Sequence, residues 1–399
     1  MPTAPPRILL ANEFGAGRGH LVTLRQVAAG FGPGFVFDAA LARRTHQHVL
    51  AEIGADIYDG PRLRYDTRRR VGPEAVATAT WGDFLGDLGF DRETRLVEVL
   101  GWWRHVIQSR KVAAVVADYA PLALLAARSL GVATVAVGTG YGLPPAEMAE
   151  FPILCPEISV RLHDEATLLG NVNRAVASYG FGPLAALPEV YRADLTLVRS
   201  LALLDPYGAQ RRGAYCPPLT QRAAGADEGT EVFVYFSTTE LADPAVVEAL
   251  VRLPLPRRGY LPGAPPGVAA RLAASGMVLE PAPLAPAQIA ARTRLVLSAG
   301  QHGILSLALF AGLPQVCVPQ HREQDWHARA AHAAGVAQVL PRAQVTTERL
   351  VAMVQACHAD PALRASAKAL ARRLHDDLPD EPHSILAERL RPLAQGLRG

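Results

Sequence analysis

The sequence predicts an α/β chain of two doubly wound domains. Three observations carry that prediction. Short apolar runs that read as buried parallel strands alternate with amphipathic helices in both halves of the chain. Two of the strand-to-helix turns are glycine loops, Gly15-Ala-Gly-Arg-Gly-His20 and Ser298-Ala-Gly-Gln-His-Gly303. The 399 residues suffice for two cores of ordinary size, and a polar, Gly/Ala-rich stretch at 220–230 reads as the linker between them.

Composition narrows the function. Half the residues are hydrophobic and 19% are charged, as in a globular protein, and the net charge of +3 gives no bulk field to recruit nucleic acid. Arg62, Arg64 and Arg68 to Arg70 cluster locally, as a solvated loop or as a face for an acidic acceptor or a membrane surface. The four cysteines, Cys155, Cys216, Cys317 and Cys357, lack the spacing of a zinc or redox motif, and Cys317 reads as core. The N-terminus has no basic and apolar leader, and no run reaches the roughly 18 apolar residues that cross a bilayer. These features predict a cytoplasmic protein with no integral membrane segment.

The first domain opens with a strand at Ile8 to Ala11, a glycine loop, and a helix whose apolar face is Leu21, Leu24, Val27, Ala28 and Phe31. Gly15, Gly17 and, farther on, Asp38 partly fit a dinucleotide fingerprint and a nicotinamide-dependent oxidoreductase. The third glycine position, however, is His20, whose ring would crowd the helix against the strand. Val112 to Ala117 is a second buried strand; it ends at Asp118 and leads into a helix from Pro121 and a strand at Thr134 to Val137. Both strands should deliver their terminal residues, His20 and Asp118, to one crevice. Taken alone, His20 reads as a satisfied polar group and Asp118 as a helix cap.

The second domain opens with a strand at Glu231 to Phe236, ending in Ser237-Thr-Thr239, which reads equally as a turn and as a set of hydrogen-bond donors. A strand at Leu295 to Leu297, the loop to Gly303 and a helix to Phe310 follow. Small residues there let a ligand approach backbone amides at a helix N-terminus, a geometry that suits phosphate. Gly312-Leu-Pro314 ends that helix, and Gln315 to Val318 returns as a strand. Three further helical stretches follow, from Thr347, Pro361 and Ser384.

Two segments carry a family resemblance. Gly300-x-x-Gly303, the helix, Ala311-Gly312-x-Pro314, the strand to Pro319, Glu323-Gln324 and Ala328-Arg329 resemble the nucleotide-sugar donor motif of family 1 glycosyltransferases of the natural-product type. Gly17-Arg-Gly-His20 resembles the same family's N-terminal motif, and Val115-Val-Ala-Asp118 its segment bearing the aspartate that pairs with the catalytic histidine. The resemblance implies a GT-B fold, two Rossmann-like domains facing across a cleft. It implies an acceptor domain over 1–219, a linker at 220–230, a donor domain over 231–380, and a helix at 381–399 packing back on the first domain. It further implies an inverting transfer from a nucleoside-diphosphate sugar, UDP-linked for example, to a hydroxyl of a small, partly apolar acceptor. His20 would be the base and Asp118 its orienting carboxylate. The donor would touch Ser237, Thr238, Thr239, Ser298, Gly300, Gln301, His302, Gly303, Glu323 and Gln324, the last two gripping the sugar. Phe14, Trp81, Trp102, Trp103 and Tyr141 stand where the family builds its acceptor pocket. No D-x-D metal motif occurs, in keeping with a reaction that uses no metal and no cofactor beyond the co-substrate.

Departures from the donor motif leave its use open. Ala299 stands for the family's phosphate-binding His, Ile304 for its Thr or Ser, Leu307 for the Glu that takes the ribose hydroxyls, and Glu323 for Asp. A charge-assisted hydrogen bond contributes about 1.5–3 kcal/mol, so two or three uncompensated losses would weaken donor binding by roughly two to five powers of ten. Either Ser298, Gln301 and His302 substitute, or the donor differs, or the chain is a binding or helper subunit that transfers nothing. An epimerase acting on a sugar nucleotide is a further reading.

Overall fold

The computed structural model describes residues 4–15, 17–63, 78–154, 157, 161–218, 229–237, 239–377 and 382–398. Arg64, Arg68 to Arg70, Cys155, Thr238 and most of the 220–230 stretch lie outside the described residues. The chain divides into two compact units, Met1–Cys216 with His383–Gly399, and Pro217–Pro382.

In the first unit, β1 (Arg7–Asn12), α1 (Arg18–Gly30), β2 (Val36–Leu41), α2 (His48–Ala51) and β3 (Asp56–Asp59) are followed by α3 (Trp81–Leu85) and α4 (Glu93–Ser109). Then come β4 (Val112–Asp118), α5 (Pro121–Arg128), β5 (Ala133–Gly138), α6 (Glu165–Ala177) and β6 (Leu195–Val198). The strands form one parallel sheet in the order β3-β2-β1-β4-β5-β6. Helices cover both faces of such a sheet, which is why β1 and β4 are almost wholly apolar and buried. The order reverses beside β1, and β1 and β4 are neighbours whose carboxyl ends lie together. That juxtaposition is the switch point where open α/β sheets bind ligands.

The second unit repeats the plan. Its elements are β7 (Glu231–Tyr235), α7 (Pro244–Arg252), β8 (Arg257–Tyr260), α8 (Pro266–Ala274), β9 (Val278–Leu279), α9 (Pro286–Ala290) and β10 (Thr293–Ser298). They continue with α10 (His302–Ala311), β11 (Gln315–Cys317), α11 (Arg322–Ala333), β12 (Ala337–Val339), α12 (Thr347–Ala359) and α13 (Pro361–Asp376). The sheet order is β12-β11-β10-β7-β8-β9, again parallel. Gly312 closes α10 in the left-handed conformation, φ 65°, where a side chain would strain the backbone.

The last helix, α14 (Pro382–Gly396), belongs to the first unit. Leu386, Leu390 and Ala394 are buried there, and a Cβ on Gly30 of α1 would come within 2.8 Å of Leu390. Arg398 donates to the carbonyls of Phe31 and Pro33 and stacks over Phe35. Asp38, the acid of the dinucleotide alternative, is fully buried in β2 and paired with Arg7 and Arg110, so it presents no carboxylate to a ribose.

Candidate active site

Two loops at the carboxyl edge of the first sheet build the first unit's candidate site. After β1 the chain turns through Glu13, Phe14 and Gly15 into α1, whose first turn carries His20. A Cβ on Gly15 would lie 2.6 Å from Asn12 Nδ2 and 2.8 Å from His20 Cδ2, so only glycine lets the loop pass over the imidazole. His20 Nδ1 is 3.0 Å from Asp118 Oδ2 at the end of β4; the histidine side chain is 23% exposed and the aspartate 2%. The imidazole therefore meets both a carboxylate and solvent, as a base must.

Residues the sequence did not single out hold this pair. Asn12 Nδ2 donates to the carbonyl of Asp118 at 3.0 Å, and the Glu13 amide to the carbonyl of Tyr119 at 3.1 Å. The Glu13 carboxyl, fully buried, accepts from the Leu122 and Ala123 amides in the first turn of α5. Burial raises its pKa to about 8, although those two amides act in the opposite sense. Tyr119 adopts φ 51°, a conformation costly for a bulky residue, and a Cβ on Gly142 would lie 1.7 Å from its ring. Only their position behind two adjacent strand ends distinguishes Asn12 and Glu13 in the sequence.

The predicted acceptor aromatics separate into two groups. Phe14 stacks on Tyr119 at 4.8 Å, Tyr119 lies 4.6 Å from the His20 ring, and Trp81 lies 5.9 Å from Tyr119 and 5.5 Å from Tyr141. Phe14, Trp81 and Tyr141 thus join the dyad in one aromatic cluster, although Trp81 is itself buried and donates its indole N–H to Tyr191. The pair on α4 behaves differently. Trp103 is fully buried core, because α4 turns that face inward, and half-buried Trp102 packs against Tyr58 and Trp103. The expectation of a pocket role for Trp103 is corrected by that burial. A separate hollow on this unit, lined by Glu150, Arg161, His163, Glu165 and Leu187 among others, contains none of the predicted residues.

The second unit assembles the donor motif at its own carboxyl edge. Ser298 is buried, and its Oγ accepts from the Gly300 amide. The Gln301 side chain is a brace: Oε1 accepts from the Ala299 amide, and Nε2 donates to Ser237 Oγ and to buried Glu240. Gln301 thus ties the loop after β10 to the loop after β7. Thr239 donates to Gln320, and the Gln320 amide donates to Gln324 Oε1 at 2.8 Å. Gln324, 2% exposed, therefore pins the turn into α11, while Glu323 is half-buried in the first turn of that helix. His302 opens α10 with its ring 5.1 Å from that of buried His327, and Gly303 beside it is exposed. No side chain caps this helix, so its first amides keep their anion-attracting character.

Three of the four departures from the donor motif, Ala299, Ile304 and Leu307, are structural. Ala299 is fully buried, and Ile304 and Leu307 join Phe233, Ile289 and Val296 in an apolar cluster against which Tyr235 and Tyr260 pack. Buried Cys317 is also core, and burial pushes its thiol up to about 12. Among the described residues no group of three or more His, Cys, Asp or Glu side chains could hold a metal, and no helix is long and apolar enough to cross a membrane.

Gly300 gives a sharp test of this loop. At φ 86° a side chain is strained, and its Cβ would lie 2.8 Å from the Gln324 carbonyl. Gly300→Ala is expected to cost about 2–4 kcal/mol in urea unfolding, whereas Gly303→Ala, which meets nothing within 4 Å, should cost nothing. Equal effects at the two positions would contradict this account of the loop.

Comparison with known proteins gives three results. No family profile matches the chain. A UDP-N-acetylglucosamine–N-acetylmuramyl-(pentapeptide) pyrophosphoryl-undecaprenol N-acetylglucosamine transferase from Methylobacterium sp. (strain 4-46) is 29% identical over 293 residues, 66% of this chain and 74% of that protein. The corresponding protein of Rhodospirillum centenum (strain ATCC 51521 / SW) is 29% identical over 263 residues, 59% of this chain and 66% of its own. Among solved structures, the calicheamicin glycosyltransferase CalG4 superposes with a TM-score of 0.67 at 17% identity, covering 98% of each chain. Spinosyn rhamnosyltransferase SpnG gives 0.64 at 16% identity, covering 98% of this chain and 100% of that one. Glycosyltransferase VinC, in complex with dTDP, gives 0.62 at 14% identity over 98% and 100%. These likenesses show the fold: two Rossmann-like domains of the GT-B class.

Proposed function

We propose, for a chain whose fold is GT-B and whose relatives by sequence and by structure are glycosyltransferases, that it moves a sugar from a nucleoside-diphosphate sugar to a hydroxyl of a small, partly apolar acceptor. The transfer inverts the anomeric carbon and uses no metal. The observation that carries this reading is the pairing of His20 with Asp118 at the switch point of the first sheet.

With Nδ1 taken by Asp118, Nε2 is the nitrogen that accepts the proton of the acceptor hydroxyl. As that proton leaves, the oxygen bonds to the anomeric carbon, and the bond from that carbon to the diphosphate breaks with its electron pair on the departing phosphate. A single displacement of this kind inverts the carbon. Asp118 fixes the imidazole and offsets the charge it gains. The first amides of α10 and its dipole offset the charge on the departing diphosphate. Glu323 is the residue we assign to the sugar hydroxyls, and Gln324 supports it by holding the turn. The ring of Tyr119 beside His20, with Phe14 stacked on it and Trp81 and Tyr141 beyond, supports an acceptor with an apolar body. The dTDP held by VinC supports a nucleoside diphosphate as the carrier.

Buried Ala299, Ile304 and Leu307 favour a second reading, a protein of this fold that binds without transferring. A thermal-shift panel of nucleoside diphosphates and their sugar conjugates separates the two. A ligand at 100 times its Kd stabilises the folded state by about 2.7 kcal/mol, a rise of several degrees in Tm. The expected result is a selective shift with one nucleotide. No shift with any of them would put the second reading first.

A further inference from the structure

Arg199 follows β6 at the same sheet edge and is only 6% exposed. Its amide donates to the Gly138 carbonyl at the end of β5 at 2.8 Å, and its Nη1 donates to Thr23 Oγ1 at 3.2 Å. Thr23 stands about one turn beyond His20 on α1. A guanidinium carries five N–H donors, and here Nε is buried without a partner. Among the described residues no carboxylate lies within 4.0 Å of it. Burying a cation in this way is costly unless an opposite charge nearby offsets it.

Asp118 is the carboxylate whose charge acts on it. A Cβ on Gly138 would lie 3.8 Å from Asp118 Oδ1, and the same glycine's carbonyl receives the Arg199 amide, so one bare residue separates the two side chains' strands. Burial lowers the guanidinium pKa to about 10 against the attraction of Cys216 and of Asp118, and it remains cationic at neutral pH. Other charged or titratable groups on the surrounding elements are Glu13 after β1, Tyr119 after β4, and Cys216 bridged to Arg199. Arg18 and Arg25 lie on α1 itself, His48 on α2 with Glu52 just after it, and Arg389 on α14. Arg25 is paired with Glu52, and Glu13 is held by the amides of α5.

We propose that Arg199 is a positioning residue for the His20–Asp118 pair: its fixed charge balances the buried carboxylate and limits how strongly that carboxylate draws a proton onto the imidazole. The role rests on the reading of His20 as the base. Without Arg199 the carboxylate attracts the proton unopposed, and His20 is protonated at higher pH.

The experiment follows the His20 imidazole by NMR titration in the full chain, alongside the pH profile of kcat/KM. Arg199→Met is expected to move the His20 titration up by about one pH unit, and the acidic limb of the profile with it. Arg199→Lys should return both towards the wild-type position. A merely structural role would lower turnover at every pH and leave the titration where it was; that result overturns the proposal. If the titration moves but turnover does not depend on His20, the role of Arg199 stands and the base assignment falls. If Arg199→Met does not fold, Thr23→Val, which removes the side-chain hydrogen bond to the guanidinium, must shift the titration in the same direction or the proposal fails.

Discussion

His20→Ala should lower turnover by about 10²–10⁴-fold, the range spanned by a positioned general base, while leaving the thermal shift with the donor nucleotide unchanged. The two readouts belong to different units of the chain, since His20 stands in Met1–Cys216 and the donor motif in Pro217–Pro382. Stability should change little, because the imidazole is partly exposed and its carboxylate partner keeps Arg199 and the Asn12 clamp nearby. Asp118→Asn tests the same pair less cleanly, because the variant amide also presents a donor to Nδ1. Unchanged turnover in His20→Ala would remove the base assignment and with it the mechanism proposed above.

The second large effect concerns stability and pH. The Glu13 carboxyl holds its proton to about pH 8 in the folded chain and to about 4.5 when exposed. A carboxyl whose folded pKa is raised stabilises fully below the unfolded value and loses that contribution as pH rises through the folded one. Between pH 4.5 and 8 the loss amounts to about 3–5 kcal/mol for a wholly buried group. Glu13→Gln carries no charge and keeps an acceptor for one of the two amides, since Leu122 bonds to Oε2 and Ala123 to Oε1. The stability difference is therefore expected to move by a few kcal/mol in the variant's favour between pH 5 and pH 8.5 in urea unfolding, on top of a constant cost for the lost hydrogen bond. Tryptophan fluorescence suits the measurement, since Trp81, Trp102 and Trp103 lie in the first unit and only Trp326 in the second. Parallel pH dependences for the two proteins would show that Glu13 does not titrate as described.

Much of this arrangement was legible before any coordinates. The apolar runs at Ile8 to Ala11, Val112 to Ala117 and Leu295 to Leu297 are β1, β4 and β10 because strands buried on both faces need an unbroken apolar stretch. His20 and Asp118 meet because adjacent parallel strands deliver their carboxyl ends to the same place. What the sequence hid depends on contacts across the fold. Glu13 reads as an ordinary loop acid until α5 is placed over it, Arg199 as a strand-end arginine until Thr23 and Gly138 surround it, and Gly142 as a loop glycine until Tyr119 fills the space beside it. Trp103 misled for the complementary reason: spacing places an aromatic on a helix, but only packing decides which face of α4 turns inward. Gln301 and Gln324 were legible as motif positions, yet their amides brace loops, a role that motif resemblance does not distinguish from ligand contact.

The return of α14 to the first unit bears on the order in which the chain can be completed during synthesis. The second unit is one continuous segment, so everything it needs has emerged by the time Pro382 has. The first unit is discontinuous: the face of α1 around Gly30, and the Phe31 and Pro33 carbonyls beyond it, await Leu386, Leu390 and Arg398 from the final seventeen residues. The helix that carries His20 thus reaches its finished packing only once α14 is available, whereas the donor loop around Gly300 needs nothing beyond Pro382.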